Sequence, residues 1–466
     1  MTTNSYLEID QKMTGDCYTS NESMDVLTTL CDVYGSRFGG TEGERLSAEF
    51  MRDKLIEYGL QNVHLEEFPY VAWHRGTTTL EITSPIQKTI PCISLPHSPP
   101  CDLEATLIDL GDGATDDFET LAAEIEGKIV MANSKTYPKG GKRWIHRSEK
   151  YGRSLLAGAT AFIFMNHYPA YGPATGGIAL DGAGEAAIPG ISVSYEDGSF
   201  LSRLVKRHGE VTIRIKSDDY SFDAVSWNVI GDLPGTGKEV VMLGSHYDGH
   251  DISQGAQDPA SGAAAVLEAA RIMAKHAGEM DCTVRFALWG VEEIGLLGSR
   301  YHAETHDKAL DNLRFYFNMD GAGSVKNKGV IINEWDPIVA LVKGWQSEMA
   351  LDFDVAQSVS AFSDHYPFLL KGVPTGGLES VPKGTGGRGY GHTRYDTLDK
   401  VTVRELQDAA AMASRLALRF ANCPDWPVER RSTAAVEALF EDPDYQATRA
   451  ISDAVEAYYE ARQQER

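Results

Sequence analysis

The chain has 466 residues, 42% of them hydrophobic and 24% charged, which is the balance of a soluble globular protein too long for one ordinary core. Its formal net charge of -24 excludes a nucleic-acid backbone as an expected partner. The opening residues Met1 to Met13 carry no basic stretch followed by an apolar run, and no segment reaches membrane-spanning length. The expectation is therefore a cytoplasmic protein without signal peptide or membrane segment.

In chain order, a helix is expected from about Asn21 to Val33. The glycine-rich turn Gly35-Ser36-Arg37-Phe38-Gly39-Gly40 comes next, then a helix from Glu42 to Tyr58 stopped by Gly59. A strand follows from Asn62 to Val71. From about Ile90 to Ser217 short apolar runs alternate with Gly/Pro/Asp turns, with one helix at Arg147 to Leu156, which reads as a compact β-rich module set into a larger domain. After Asn228 the rhythm becomes strand, helix, strand. Strands are expected at Val240–Gly244, Thr283–Trp289, Arg314–Asn318, Gly329–Ile332 and Pro374–Leu378. Helices are expected at Ser261–His276, Leu297–Thr305, Ile338–Met349 and Val403–Ala421. Strands this apolar, alternating with helices, predict an α/β fold with a mixed, mostly parallel sheet covered on both faces. The last stretch, Thr433 to Arg466, reads as polar helix without an obvious core face. The resulting division is 1–89 and 218–425 for a main domain, 90–217 for the insert and 426–466 for a helical tail. The six cysteines form no CxxC pair and read as scattered thiols; Cys92 and Cys101 would bridge only in an oxidising compartment.

The chemistry gathers just beyond strand ends. His246 and Asp248 follow the first strand after Asn228, Glu292 and Glu293 follow the second, and Asp320 follows the third. In open α/β sheets that edge is where ligands bind. In extended chain His246 and Asp248 point to the same side, and a metal-bound His commonly needs a carboxylate on its other nitrogen; a surface HxD pair is an equally ordinary reading. Asp258, at the end of a loop of small residues, fits either a close backbone approach to a bound group or a helix cap, with Ser261 the other cap candidate. Glu292 and Glu293 fit either a cation between two crowded carboxylates or a helix N-terminus. His392, in a Gly-rich loop, gains meaning only with the rest. Two His, several carboxylates and no Cys suit zinc, cobalt or manganese, and one acid too many for a single zinc suggests a bridged pair.

The motifs HYD at 246–248, GAQDPASG at 255–262, WGVEEIGLLGS at 289–299, NMD at 318–320, SDHYPF at 363–368 and GHTRYDTLDK at 391–400, in this order, resemble the M28 family of zinc peptidases. So does GSRFGGTEGERLSAEFMRDKLIEYGL at 35–60. EGKIVMAN at 126–133, GATAFIFMN at 158–166 and IPGISVSYEDG at 188–198 look like a protease-associated (PA) domain. The resemblance implies a zinc exopeptidase fold with an inserted PA domain. It implies hydrolysis of the terminal bond of short peptides through a hydroxide between two Zn²⁺, with Co²⁺ or Mn²⁺ as substitutes. An aminopeptidase is the first expectation; a dipeptidase or carboxypeptidase of the plasma glutamate carboxypeptidase type, or a non-peptide amide hydrolase, is the alternative. Carried over by position, Asp258 would bridge the metals, His246 and Asp320 would complete one site, and Glu293 and His392 the other. Glu292 would act as general base, with Asp248 orienting His246. Receptor-like relatives that lack zinc ligands, and single-zinc glutaminyl cyclases, fit less well: the ligand set is complete and the insert is present.

Pro259 follows the expected bridging acid, so a cis Asp258-Pro259 bond is expected; with proline it costs only about 0.5–1 kcal/mol, against roughly 2.5–4 without. Many relatives place Tyr just before the last His, where this chain has Gly391. Tyr390 and Tyr366 are the alternative oxyanion partners, and Arg388 and Arg394 the candidates for a terminal carboxylate. The expected partner is a short peptide or dipeptide, with no nucleic acid and no membrane; a homodimer is compatible with the sequence. The insert is expected to restrict entry to short peptides.

Overall fold

The computed structural model describes residues 4–139, 143–178, 184–381 and 389–464. The chain forms two compact units. One comprises Met1–Tyr70, Val225–Gly391 and Tyr395–Leu439; the other comprises Val71–Ala224, His392–Arg394 and Phe440–Arg466.

The first unit is built on eight strands, numbered here in chain order: β1 Gln61–His74, β2 Tyr220–Leu233, β3 Val240–His246, β4 Thr283–Trp289, β5 Leu313–Asn318, β6 Lys328–Ile332, β7 Val355–Gln357 and β8 Thr375–Ser380. Their order across the sheet is β1-β2-β4-β3-β5-β8-β6-β7. Strands β4, β3, β5 and β8 run parallel, while β2 and β6 join them antiparallel. In β3–β5 consecutive side chains serve opposite faces. Val241 and Leu243, Phe286 and Leu288, Phe315 and Phe317 enter one core with the long helices Ser261–His276 and Val403–Ala421. Met242, Trp289 and Tyr316 enter another, with Ala303 and Phe368 from the shorter helices Leu297–Thr305 and His365–Leu370. This is why the strands read as unbroken apolar runs rather than alternating ones. The expected strands and helices after Asn228 are all present. A further helix, Leu7–Thr19, precedes the first one expected. Among the described residues no helix is long and apolar enough to cross a membrane.

The parallel registers pair His246 with Trp289 and Gly244 with Asn318, so β3, β4 and β5 end together at one sheet edge. Gly262 lets helix Ser261–His276 close on that edge: a Cβ there would stand 2.1 Å from the Met319 carbonyl oxygen. Gly262 therefore makes room for neighbouring backbone. Neither Asp258 nor Ser261 caps the helix. It has no side-chain cap, and the Ser261 hydroxyl instead donates to the Gln257 carbonyl at 2.7 Å.

Helix Glu42–Glu57 starts with Thr41 Oγ accepting from the Glu44 N–H, while Glu44 Oε2 accepts from the Gly40 N–H at 2.7 Å. Ser226 donates to the other Glu44 oxygen. Glu44 is fully buried, and burial pushes its carboxyl up to about 8 from 4.5. The folded chain thus holds a proton that the unfolded chain releases. The stability this contributes is complete below pH 4.5 and is lost as pH rises through about 8. Glu44→Gln, which mimics the protonated form, should gain on the parent chain by a few kcal/mol between pH 5 and pH 9. Calorimetric melting temperatures of both chains at the two pH values measure this; a constant gap would show that Glu44 is ionised in the fold.

The second unit has its own eight-stranded sheet, in the order Lys88–Ile90, Thr78–Ser84, Thr212–Ser217, Cys101–Asp109, Ile129–Asn133, Ala161–Met165, Gly190–Val193 and Cys92–Ser94. It holds helix Arg147–Leu156 as expected, and two more that sequence reading missed, Thr115–Ile125 and Tyr195–His208. The final helix, Pro443–Gln464, has a core face after all. Ile451, Val455, Tyr458 and Tyr459 pack with Tyr151 and Ala187, and Tyr459 accepts from the Ala187 N–H at 2.8 Å. All six cysteines are free thiols.

Candidate active site

At the shared edge of β3, β4 and β5, His246 is 1% exposed and points Nε2 into a ring of carboxylates. Asp320 Oδ1 lies 3.2 Å away, Asp258 Oδ1 3.5 Å and Glu292 Oε2 3.9 Å. The other ring nitrogen, Nδ1, donates to the main-chain carbonyl of Asp248 at 3.0 Å. That bond anchors Nδ1 and leaves Nε2 facing the acids. Asp248 thus reaches His246 through its backbone, and its Oδ1 also lies 3.5 Å from the same ring nitrogen. Its carboxylate accepts from the backbone N–H groups of Glu292 at 2.9 Å and Glu293 at 3.2 Å, holding the turn that carries both acids. That turn precedes helix Leu297–Thr305, so Glu292 and Glu293 are not first-turn helix acids.

Asp258 stands in a tight turn, Ala256–Ala260, and its bond to Pro259 is cis, as expected. Buried Asp396 holds this turn by accepting from the N–H groups of Gln257 at 2.7 Å and Asp258 at 3.1 Å. Burial and the nearby Asp258 push Asp396 up to about 7. Asp320 is held by a relay in which every donor finds an acceptor. Trp289 Nε1 donates to the Tyr316 hydroxyl at 2.7 Å, Tyr316 to Asn318 Oδ1 at 2.8 Å, Asn318 Nδ2 to Ser363 Oγ at 2.7 Å, and Ser363 to Asp320 Oδ2 at 2.8 Å. Glu293 faces His250, with Oε2 2.9 Å from His250 Nε2.

His250, Asp396 and Ser363 were not singled out from sequence. A second His four residues past His246 was the available signal for His250; Ser363 and Asp396 lie inside the motifs SDHYPF and GHTRYDTLDK, which was the signal for them. His392 adopts a left-handed backbone, φ 60°, and belongs to the second unit. There its Nδ1 meets the Thr175 carbonyl at 3.2 Å, and Thr175 N–H donates to the His392 carbonyl at 2.9 Å.

The remaining candidates are more scattered. Gly391 approaches Asp258 so closely that a Cβ would meet its Oδ2 at 2.7 Å. Tyr390 donates its N–H to Gln257 Oε1 at 2.8 Å, and its ring lies under Lys400 Nζ at 5.1 Å. Tyr366 is half-buried in helix His365–Leu370. Arg394 is exposed, and Arg388 lies outside the described residues.

The cluster fits a divalent cation. Around an ion with bonds of about 2.0–2.1 Å, tetrahedral N and O donors stand about 3.3 Å apart, close to the 3.2 and 3.5 Å found between His246 and its two carboxylates. Burial alone would push His246 down, but Glu292 and Asp320 beside it raise it well above the usual range. Burial raises Glu292 as well, helped by Glu293. Acids and an imidazole crowded this way need positive charge among them. An open pocket of about 410 Å³ borders Asp320, lined by Ile331, Phe362, Leu378, Ser360, His365 and Glu379 among others.

Residues 228–417 match the model of peptidase family M28, and residues 97–201 match that of the PA domain. Carboxypeptidase Q of Bos taurus is 28% identical over 308 residues, 64% of this chain and 64% of that protein. The aligned stretch thus spans just under two thirds of that relative's length. Leucine aminopeptidase 2 of Trichophyton equinum is 28% identical over 358 residues, 73% of this chain and 68% of that one. In structure, an M28 peptidase precursor from Shewanella amazonensis superposes with a TM-score of 0.78 at 24% identity, covering 91% of this chain and 98% of its own. Two family models, both kinds of relative and the shared fold agree: residues 228–417 are a peptidase family M28 domain, and residues 97–201 are a PA domain.

Proposed function

We propose that this chain is a zinc-dependent exopeptidase that removes the N-terminal residue of short peptides. His246, Asp320 and Asp258 would hold one Zn²⁺, and Asp258 and Glu293 would supply ligands to a second. When bound, the ions supply Lewis-acid charge that polarises the scissile carbonyl and acidifies the attacking water. The protein's own groups do the rest. Glu292 takes the proton of the attacking water and passes it to the leaving amine. Asp248 fixes the Glu292 turn through two N–H bonds and anchors His246 Nδ1 through its carbonyl. Asp396 fixes the Asp258 turn, and the relay ending at Ser363 aims Asp320. His250 orients the Glu293 carboxylate.

The observation that favours the amino end is the pocket beside Asp320. It mixes apolar walls with the carboxylates of Asp320 and Glu379, and its described lining includes no Lys or Arg. Acids there suit a free α-amine; a terminal carboxylate would call for a cationic group. The carboxypeptidase Q relatives support a second reading, a dipeptidase or carboxypeptidase.

A panel of aminoacyl-4-nitroanilides with free and N-acetylated dipeptides separates the two. Cleavage of anilides and free dipeptides, lost on acetylation, is the expected result. Cleavage that survives acetylation would replace the aminopeptidase reading with the carboxypeptidase one. Turnover of no peptide by zinc-loaded protein would move the assignment to non-peptide amides.

A further inference from the structure

A second group of metal-type donors lies in the first unit, away from the residues assigned above. His302 closes the last turn of helix Leu297–Thr305, and His306 caps it one turn later, its N–H bonded to the His302 carbonyl at 3.0 Å. Residues four apart share a helix face, and the two imidazole rings lie 4.6 Å apart between centroids. Glu66 on β1 faces both. Its Oε1 is 2.6 Å from His306 Nε2, and its Oε2 is 3.0 Å from His302 Nδ1. Asn228 Nδ2 donates to Glu66 Oε2 at 2.7 Å and sets the plane of the carboxylate.

We propose that Glu66, His302 and His306 form a further divalent-metal site, a zinc clamp joining strand β1 to the end of helix Leu297–Thr305. Five observations carry it. The donor set, two imidazoles and one carboxylate, is one zinc accepts, with water as the fourth ligand. Glu66 Oε1 lies 3.1 Å from His302 Nδ1 and 2.6 Å from His306 Nε2, so that oxygen would move outward by under 1 Å to reach the roughly 3.3 Å spacing of tetrahedral ligands. The surroundings are layered as metal sites are. Asn228 orients the carboxylate, while the rings of Trp289 and Phe368 stand 5.2 and 6.1 Å from that of His302 and exclude water on the buried side. His306, with its side chain 44% exposed, leaves an entry path. The site also sits at a helix C-terminus, where the exposed carbonyls favour a cation.

The ordinary alternative is a hydrogen-bonded Glu–His–His triad that holds only protons, and the test distinguishes them. Chelator-stripped full-length protein is titrated with Zn²⁺ against a chromophoric chelator, and metal content is counted after desalting. The same is done with His306→Gln and Glu66→Gln. His306 is the exposed member and glutamine keeps the shape of Glu66, so both variants should fold; circular dichroism checks this. The parent should bind one zinc equivalent more than either variant, whatever number the active-site cluster takes. Asp320→Asn, altered at that cluster, should keep this equivalent. Zinc should also raise the melting temperature of the parent more than that of His306→Gln. Equal zinc counts in the parent and both folded variants would overturn the proposal and leave a protonic triad.

Discussion

Glu292→Gln is expected to lower kcat for a cleaved dipeptide by about 10²–10⁴-fold, the usual contribution of a positioned general base, while zinc uptake stays unchanged. Glutamine keeps the shape of the side chain but cannot take a proton. The setting suits a group that must accept one. The Glu292 side chain is 12% exposed, and Oε2 stands 3.9 Å from His246 Nε2. Burial raises its carboxyl well above the ordinary range, His246 draws it part of the way back, and Glu293 adds to the rise. A carboxylate raised in this way holds a proton readily, as the transfer from water to leaving amine requires. Steady-state kinetics together with metal analysis decide the matter. Retained activity would remove Glu292 from the reaction, and lost activity with lost zinc would make it a ligand instead.

Replacing Arg37 should cost about 3–5 kcal/mol of stability in the first unit, the range seen when a buried charged group with several partners is broken up. Arg37 is 0% exposed. Nε donates to the Tyr247 carbonyl at 2.7 Å, Nη1 to those of Leu30 at 3.0 Å and Gln254 at 2.9 Å, and Nη2 to that of Gly255 at 3.0 Å. Nη1 also reaches the Gly35 carbonyl. These acceptors lie in the segments around His246 and before Asp258, so one guanidinium ties together both loops of the cluster. Its backbone is left-handed, φ 56°, a conformation that costs a non-glycine residue about 1–2 kcal/mol. The side chain must therefore contribute more than that. Arg37→Met would leave buried carbonyls without donors, and Arg37→Lys cannot span them with one ammonium. Both variants should melt lower and lose activity together. A lysine variant as stable as the parent would show that charge alone matters there.

Strand positions were legible because a sheet covered on both faces needs apolar residues at successive positions, as in Val240–Leu243, Phe286–Trp289 and Phe315–Phe317. The active-site edge was legible for the same reason, since His246, Glu292 and Asp320 are the first chemically distinctive residues after those runs. What the sequence hid is non-local. Asp396 bonds to backbone about 140 residues earlier, and Arg37 to carbonyls more than 200 residues later. Each lies inside a motif, GHTRYDTLDK or GSRFGG, but nothing in those motifs shows which distant backbone it would bind. The helices Thr115–Ile125 and Tyr195–His208 were obscured by acidic first turns that resemble loop sequence. The core face of Pro443–Gln464 was present in the spacing of Ile451, Val455, Tyr458 and Tyr459, but is diluted by the charged residues around it.

The most direct test of the central claim is hydrolysis of a free dipeptide by chelator-stripped protein as Zn²⁺ is returned. The stripped protein should be inactive and should recover as zinc fills the cluster around His246, Asp258 and Asp320. Full-rate hydrolysis by protein shown to be free of metal would contradict it.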